Sequence, residues 1–255
     1  MTSRRKFIQN TMLLGAGLSM PSVLTAADFG RFTRTIGPND QINYGLIGCK
    51  GMGWSNMNAH LKIPQVNCVA ICDIDQSVLD QRSEDVFKLR GTRPKQYKDY
   101  RKMLEDKDID VVIVGTPDHW HCLNMVDAVS AGKHVYVEKP IANTIEECQI
   151  MVKAQERYGK IVQVGQWQRS GSQYDQAIQY VKSGKLGQIR LVKCWAYQGW
   201  MKPVPVVANG PVPAGVDYNM WLGPAPKREF NANRFHFNFR WFWDYAGGLM
   251  TDWGV

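Results

Sequence analysis

The stretch from Ile42 to Gly53, INYGLIGCKGMG, constrains the fold more than any other part of the chain. It reads as a short buried strand, a glycine-rich turn and the start of a helix over Trp54–Leu61. A turn of this kind leaves backbone N–H groups unpaired at a helix N-terminus, and those groups form an anion site. In a doubly wound parallel sheet, that is where the pyrophosphate of a dinucleotide lies. The usual spacing is G-x-G-x-x-G; Gly48 and Gly53 fit it, Lys50 takes the middle place, and Gly51 comes one residue late. Lys50 therefore either points outward or adds a cation beside the phosphates. Taken alone, the loop describes a plain tight turn equally well. Asp73 strengthens the dinucleotide reading. It closes a second strand, Val66–Cys72, twenty residues past Gly53, where a carboxylate binds the ribose hydroxyls of an adenosine. The same charge repels a 2′-phosphate, which favours NAD over NADP.

Residues 1–27 are set apart from the fold. Arg4 and Arg5 form a twin-arginine pattern, Thr11–Met20 is a short apolar run, and Thr25-Ala26-Ala27 offers small residues for cleavage before Asp28. The run is too short and glycine-rich for a stable membrane span. The expected address is the periplasm or cell exterior of a bacterium, reached through the twin-arginine export machinery, which carries folded proteins. Residues 28–40 are a polar tether. The formal charge is +8; Arg4, Arg5 and Lys6 leave with the signal and no acid does, so +5 remains, spread without the basic run that a nucleic-acid partner would need. Six cysteines stand in an exported chain. Their places in a turn, a buried strand and helices point to small buried thiols rather than a disulfide set.

Beyond the second strand, Gln76–Leu89 reads as a helix closed by residues 91–94, and Tyr97–Asp108 holds a further helical segment, rich in charge and on the surface. Ile109–Val114 is β-branched and apolar, as a strand buried on both faces requires. Two loops then land at strand ends, where open parallel sheets bind ligands. The first holds Thr116, Pro117, Asp118, His119 and His121, with Asp118 expected to cap the helix running to Ala131. The histidines lack helical metal spacing, and no metal is expected. The second is Val135–Pro140, which delivers Glu138 and Lys139 to the same edge, Pro140 holding Lys139 out of the helical region. A lysine there can hydrogen-bond a substrate hydroxyl and stabilise an alkoxide as hydride leaves; an exposed Glu–Lys pair is the alternative. Thr144 with Glu147 forms a capping box for a helix to Tyr158, and Ile161–Gly165 is a further strand.

Together the Ile42–Gly53 turn, the Thr116–His121 loop and Glu138-Lys139-Pro140 resemble the glucose–fructose oxidoreductase/inositol dehydrogenase/MocA family. The resemblance implies an α/β protein: a Rossmann domain over residues 41–165, then an α/β domain with a large antiparallel sheet, begun at 166–255 and truncated. It implies NAD(P)-linked hydride transfer at a sugar, polyol or glycoside, with Lys139 touching both nicotinamide and substrate and a cis Lys139–Pro140 peptide. The expected cofactor contacts are Gly48, Lys50, Gly51, Met52, Gly53, Asp73, Thr116, Pro117, His119, His121, Glu138 and Lys139. Lys139, Arg169 and Asp252 are the expected substrate contacts, with Lys139 and Asp252 catalytic. Asp252 and Gly254 match the family's Asp-x-Gly-x-His, whose histidine, the usual general acid/base, would be the next residue after Val255. The chain is therefore expected to be a fragment of a longer protein, the alternative being a truncated gene product without that base.

In the second domain, seven of nine tryptophans fall between Trp167 and Trp253, as a sugar-receiving face or as core. Tyr174–Lys182 reads as a helix, Ile189–Tyr197 as a strand, Pro203–Gly215 as a loop and Trp221–Pro226 as a turn. Phe235–Trp241 alternates strictly, as a strand packed on one face. The leading functional expectation is a dehydrogenase with tightly held NAD, acting on a small sugar or glycoside and assembling as a homo-oligomer through the second-domain sheet. Two others stand beside it: an NAD-dependent glycoside hydrolase of the same family, and a non-catalytic cofactor-binding remnant.

Overall fold

The computed structural model describes residues 41–195, 199 and 203–254. The export signal, the tether and the last two residues of the strand expected over Ile189–Tyr197 lie outside these.

Six strands form one sheet: β1 (Ile42–Ile47), β2 (Val66–Cys72), β3 (Lys95–Tyr97), β4 (Val111–Val114), β5 (His134–Val137) and β6 (Val162–Val164). Their order is β3-β2-β1-β4-β5-β6, and every pairing is parallel. The central strands are apolar because both of their faces are covered. One face packs against Met57 of α1 (Gly51–His60) and Val78, Leu79 and Val86 of α2 (Gln76–Arg90). The other packs against Met103 of α3 (Tyr100–Leu104), Met125 and Val129 of α4 (His121–Ser130), and Met151 and Ala154 of α5 (Ile145–Tyr158). The strand order reverses between β1 and β4, so the loops leaving them diverge and open a crevice at their carboxyl ends.

That crevice depends on three glycines. Gly48 has a left-handed backbone, at φ 81. A Cβ on Gly53 would stand 2.0 Å from the Gly48 carbonyl oxygen, and one on Gly115 would stand 2.4 Å from the Gly53 Cα. Helix α1 thus lies on the ends of β1 and β4 with no side chain between. It begins at Gly51, three residues before the expected start, because the glycine turn itself supplies the first helical turn. Lys50 is the N-cap and gives no side-chain cap. Elsewhere the caps match expectation: Thr144 and Glu147 form the capping box of α5, and Gly159 ends that helix at φ 60. All six cysteines are free thiols, four of them buried.

Several expectations are corrected. The helical segment expected within Tyr97–Asp108 is α3, five residues long; the unexpected element beside it is β3, where the exposed edge of β2 recruits Lys95–Tyr97 as a partner. Asp118 does not cap α4. It opens a 3-10 turn, Asp118–Trp120, and the residue before α4 is Trp120. Phe235–Trp241 is not a strand: His236–Trp241 is a 3-10 helix. Among the described residues no neighbouring strand pairs with it, and three residues per turn bring Phe239 and Phe242 together onto the aromatic cluster while Phe237 is left exposed. Residues 189–195 likewise find no pairing strand among the described residues and stay exposed.

The helix α6 (Ser172–Lys182) follows β6, two residues longer at its start than expected. The later part of the chain holds α7 (Tyr218–Leu222) and α8 (Leu249–Trp253). Its core is a cluster of Tyr218, Trp221, Leu222, Phe230, Phe235 and Tyr245, so Trp221 is a core ring. The expected turn over Trp221–Pro226 contains the end of α7 and Gly223, at φ 50, where a Cβ would meet the Trp120 ring at 2.1 Å. Main-chain bonds fasten this region to the β2–α2 turn: Gln76 N–H donates to the Gly215 carbonyl (3.1 Å), Asp217 N–H to the Ile74 carbonyl (2.9 Å), and Asp75 forms an antiparallel bridge with Val216.

Gly53→Ala is expected to cost roughly 3 kcal/mol, since backbone rather than a movable side chain blocks the methyl group. Gly51→Ala meets open space and carries only its φ of 49, a cost of about 1–2 kcal/mol. Urea unfolding of both variants checks the ranking.

Candidate active site

A cavity of about 490 Å³ runs along the carboxyl edge of the sheet. At one end Asp73, Ile74 and Lys98 line it; Lys50, Gly51 and Met52 line its middle; Asp118, Lys139, Arg240 and Asp252 stand at the other end. Each part is placed by its local backbone. The turn after β1 aims the first N–H groups of α1 into the crevice, and no acidic side chain occupies that first turn. Asp73, directly after β2, accepts hydrogen bonds from the N–H groups of Cys49 (2.7 Å) and Asp75 (3.1 Å). Those bonds fix the carboxylate and leave further lone pairs for a ligand. Burial pushes its pKa upward, and the two N–H bonds oppose that.

Lys139 follows β5, before a cis peptide to Pro140. Its Nζ donates to the Asp252 main-chain carbonyl and to Asp252 Oδ1 (3.0 Å). Arg240 Nη1 donates to Asp252 Oδ2 at 2.7 Å, so the Asp252 carboxylate is held between two cations. Glu138 also lines the cavity and accepts from Asn56 Nδ2 of the first helix at 2.6 Å. Burial raises its pKa, and the Asn56 bond counters the shift.

The two histidines have structural places. His121 is buried, its Nδ1 2.6 Å from the Pro140 carbonyl and its Nε2 2.8 Å from the Thr116 carbonyl. It pins the loop after β4 to the turn after β5, which sets the position of Lys139. Burial lowers its pKa, and the two carbonyls oppose that. His119 points away from the cavity, its Nε2 3.0 Å from the Trp221 carbonyl and its ring against Trp221 and Tyr245. Burial pushes it down to about 4, so it is neutral near pH 7. Thr116 and Pro117 line the cavity, and the Thr116 hydroxyl donates to Asn124 Oδ1 at 3.1 Å. Arg169 is exposed in a 3-10 turn (Trp167–Ser170) and is not brought to the cavity; Gly53 lies under its wall rather than in it.

Among the cavity residues not expected from the sequence are Asp118, Arg240 and His236. Asp118 looked like a helix cap, and Arg240 looked like the outer face of a strand. Asp118 is only 5% exposed, and burial, then the nearby Asp252 charge, push its pKa up to about 7 against the pull of Arg240 and Lys139. The cavity end therefore presents a lysine, a clamped carboxylate and a carboxyl that exchanges protons near neutrality, as hydride chemistry at a hydroxyl needs. The rest of the cavity fits NAD. The glycine cradle admits backbone only, the α1 amides suit phosphates, and Asp73 suits a ribose diol.

An acid whose pKa is raised on folding costs stability as pH climbs from its ordinary 3.8 to its folded value of about 7. Asp118→Asn removes that titration. The variant is expected to match the wild type near pH 3 and to exceed it at about pH 8 by on the order of a few kcal/mol. Urea unfolding across pH checks the sign.

Comparison with known proteins follows the same division of the chain. A family profile described as "Oxidoreductase family, NAD-binding Rossmann fold" matches residues 42–166, and one described as "Oxidoreductase family, C-terminal alpha/beta domain" matches residues 192–255. An alpha-N-acetylgalactosaminidase from Shewanella oneidensis is 32% identical over 152 residues, 58% of this chain and 33% of that protein. The chain spans about a third of the length of the curated relatives it matches. Scyllo-inositol dehydrogenase from Lactobacillus casei, solved with NAD(H) and scyllo-inositol, superimposes with TM-score 0.53 and 27% identity over 58% of this chain and 43% of that one. The WlbA dehydrogenase from Bordetella pertussis, in complex with NADH and UDP-GlcNAcA, gives 0.51 and 26% over 58% and 44%. The two matched profiles cover about three quarters of the chain, which belongs to the glucose–fructose oxidoreductase/inositol dehydrogenase/MocA family of NAD-binding oxidoreductases.

Proposed function

We propose that this protein oxidises a hydroxyl of a sugar, polyol or glycoside with a tightly held NAD. One observation carries the reading: Lys139 and the doubly clamped Asp252 share a single cavity with the α1 N-terminus and Asp73. When bound, NAD supplies the hydride acceptor. Lys139 donates a hydrogen bond to the reacting hydroxyl and stabilises the charge that grows on its oxygen. Asp252, fixed by Lys139 and Arg240, orients the substrate, and Asp118 offers a place for the hydroxyl proton. Inositol dehydrogenase among the similar structures supports a polyol or sugar hydroxyl as the reacting group. Arg4 and Arg5 support export of the folded, loaded protein, and an address outside the cytoplasm, where NAD is scarce, suits a cofactor that does not leave. Assembly as a homo-oligomer through the second-domain sheet belongs to the same reading.

A second reading has its own support. The similar alpha-N-acetylgalactosaminidase favours a glycosidase in which the same oxidation allows the aglycone to be eliminated and hydride then returns. Against it, residues 250–254 are Met-Thr-Asp-Trp-Gly, with Asp252 in place, rather than the Tyr-Pro-Thr-His-Gly type expected of that branch.

The experiment is a panel of inositols, sugars and glycosides offered to the full-length gene product with NAD. Sugar-dependent NADH formation that falls by about 10²–10³ in Lys139→Ala supports the dehydrogenase. Aglycone release with no net NADH moves the assignment to the glycosidase. Export that survives replacement of Arg4 and Arg5 by lysine contradicts the twin-arginine route, and full-length protein retained in the cytoplasm contradicts the address.

A further inference from the structure

His236 is the one non-glycine residue among those described that holds a left-handed backbone, at φ 55. Side chains disfavour that region, and residues kept in it cluster where a ligand is gripped. The surroundings of His236 point the same way. Its side chain lines the cavity together with Lys50, Gly51 and Met52, the opening residues of α1. Its Nε2 lies 3.9 Å from Asp75 Oδ2, too far for a hydrogen bond. Burial first, and then the Lys50 ammonium, push the imidazole down to about 4, with Asp75 opposing. A half-buried ring, a lysine and a set of uncapped helix amides face the same cavity, and an anion between them meets donors from all three.

We infer that His236 reaches across the groove from the C-terminal region to bind the diphosphate of the dinucleotide, clamping it with Lys50 against the N-terminus of α1. This rests on the assignment of NAD to the cavity. A neutral imidazole supplies one N–H donor and Lys50 supplies the charge. The imidazole is set in place before any ligand arrives. Phe235, its chain neighbour, is buried in the aromatic cluster, with ring centroids 3.8 Å apart, and Val216 and Asp217 fasten the same region to the β2–α2 turn. Closing the groove from a second part of the chain would slow cofactor release.

His236→Asn and His236→Gly separate binding from folding, because both residues tolerate the left-handed region. NAD binding to the full-length protein would be followed by titration calorimetry, with thermal melting alongside. Both variants are expected to weaken NAD by about tenfold at an unchanged Tm, and Lys50→Met to act in the same direction. NAD affinity within about twofold of wild type in both variants overturns the clamp. So does a loss of affinity that comes only with a lowered Tm, which would make His236 a folding residue. Wild-type protein that binds no NAD at all is a different failure, of the cofactor assignment itself.

Discussion

The backbone-on-backbone contact of Gly48, Gly53 and Gly115 underlies the rest of this structure. Helix α1 can approach the ends of β1 and β4 only because none of the three carries a Cβ, and a methyl on Gly53 would lie 2.0 Å from a carbonyl oxygen. That approach aims the first amides of α1 into the crevice at the strand-order reversal. It also brings Asn56 within 2.6 Å of Glu138, tying the first helix to the turn that carries Lys139. A single steric condition thus sets both the phosphate end and the lysine of the cavity.

The reactive end is a second construction, made of charge. Asp252 comes from α8, Arg240 from the 3-10 helix before it, and Lys139 from the end of β5, so two regions far apart in sequence meet on one carboxylate. Burial would penalise that carboxylate alone; a cation on each oxygen offsets the cost and fixes its orientation. Asp118 is buried nearby, and burial first, then the Asp252 charge, push its pKa up to about 7. The site thus pairs a carboxylate fixed by two cations with a buried carboxyl that exchanges its proton near neutrality.

Much of this was legible in the sequence. The turn, Asp73, the apolar central strands, the Thr144–Glu147 box and the Glu138-Lys139-Pro140 element all act locally, and local chemistry is what a sequence displays. The misses arose where a distant part of the chain decides. Strict alternation in Phe235–Trp241 describes a strand, but with no partner strand beside it the segment coils into a 3-10 helix and turns Arg240 toward Asp252. Two histidines at a strand end look like ligands, yet one is consumed in joining Thr116 to Pro140 and the other in packing against Trp221. Asp118 resembled a cap because its carboxylate neighbour lies 134 residues away.

A crystal structure of the full-length protein with NAD tests the central claim most directly. The account predicts the diphosphate at the N–H groups of Gly51–Gly53, an adenosine ribose on Asp73, and the nicotinamide facing Lys139 and Asp252. A dinucleotide lying elsewhere, or one whose nicotinamide turns away from Lys139, would contradict it.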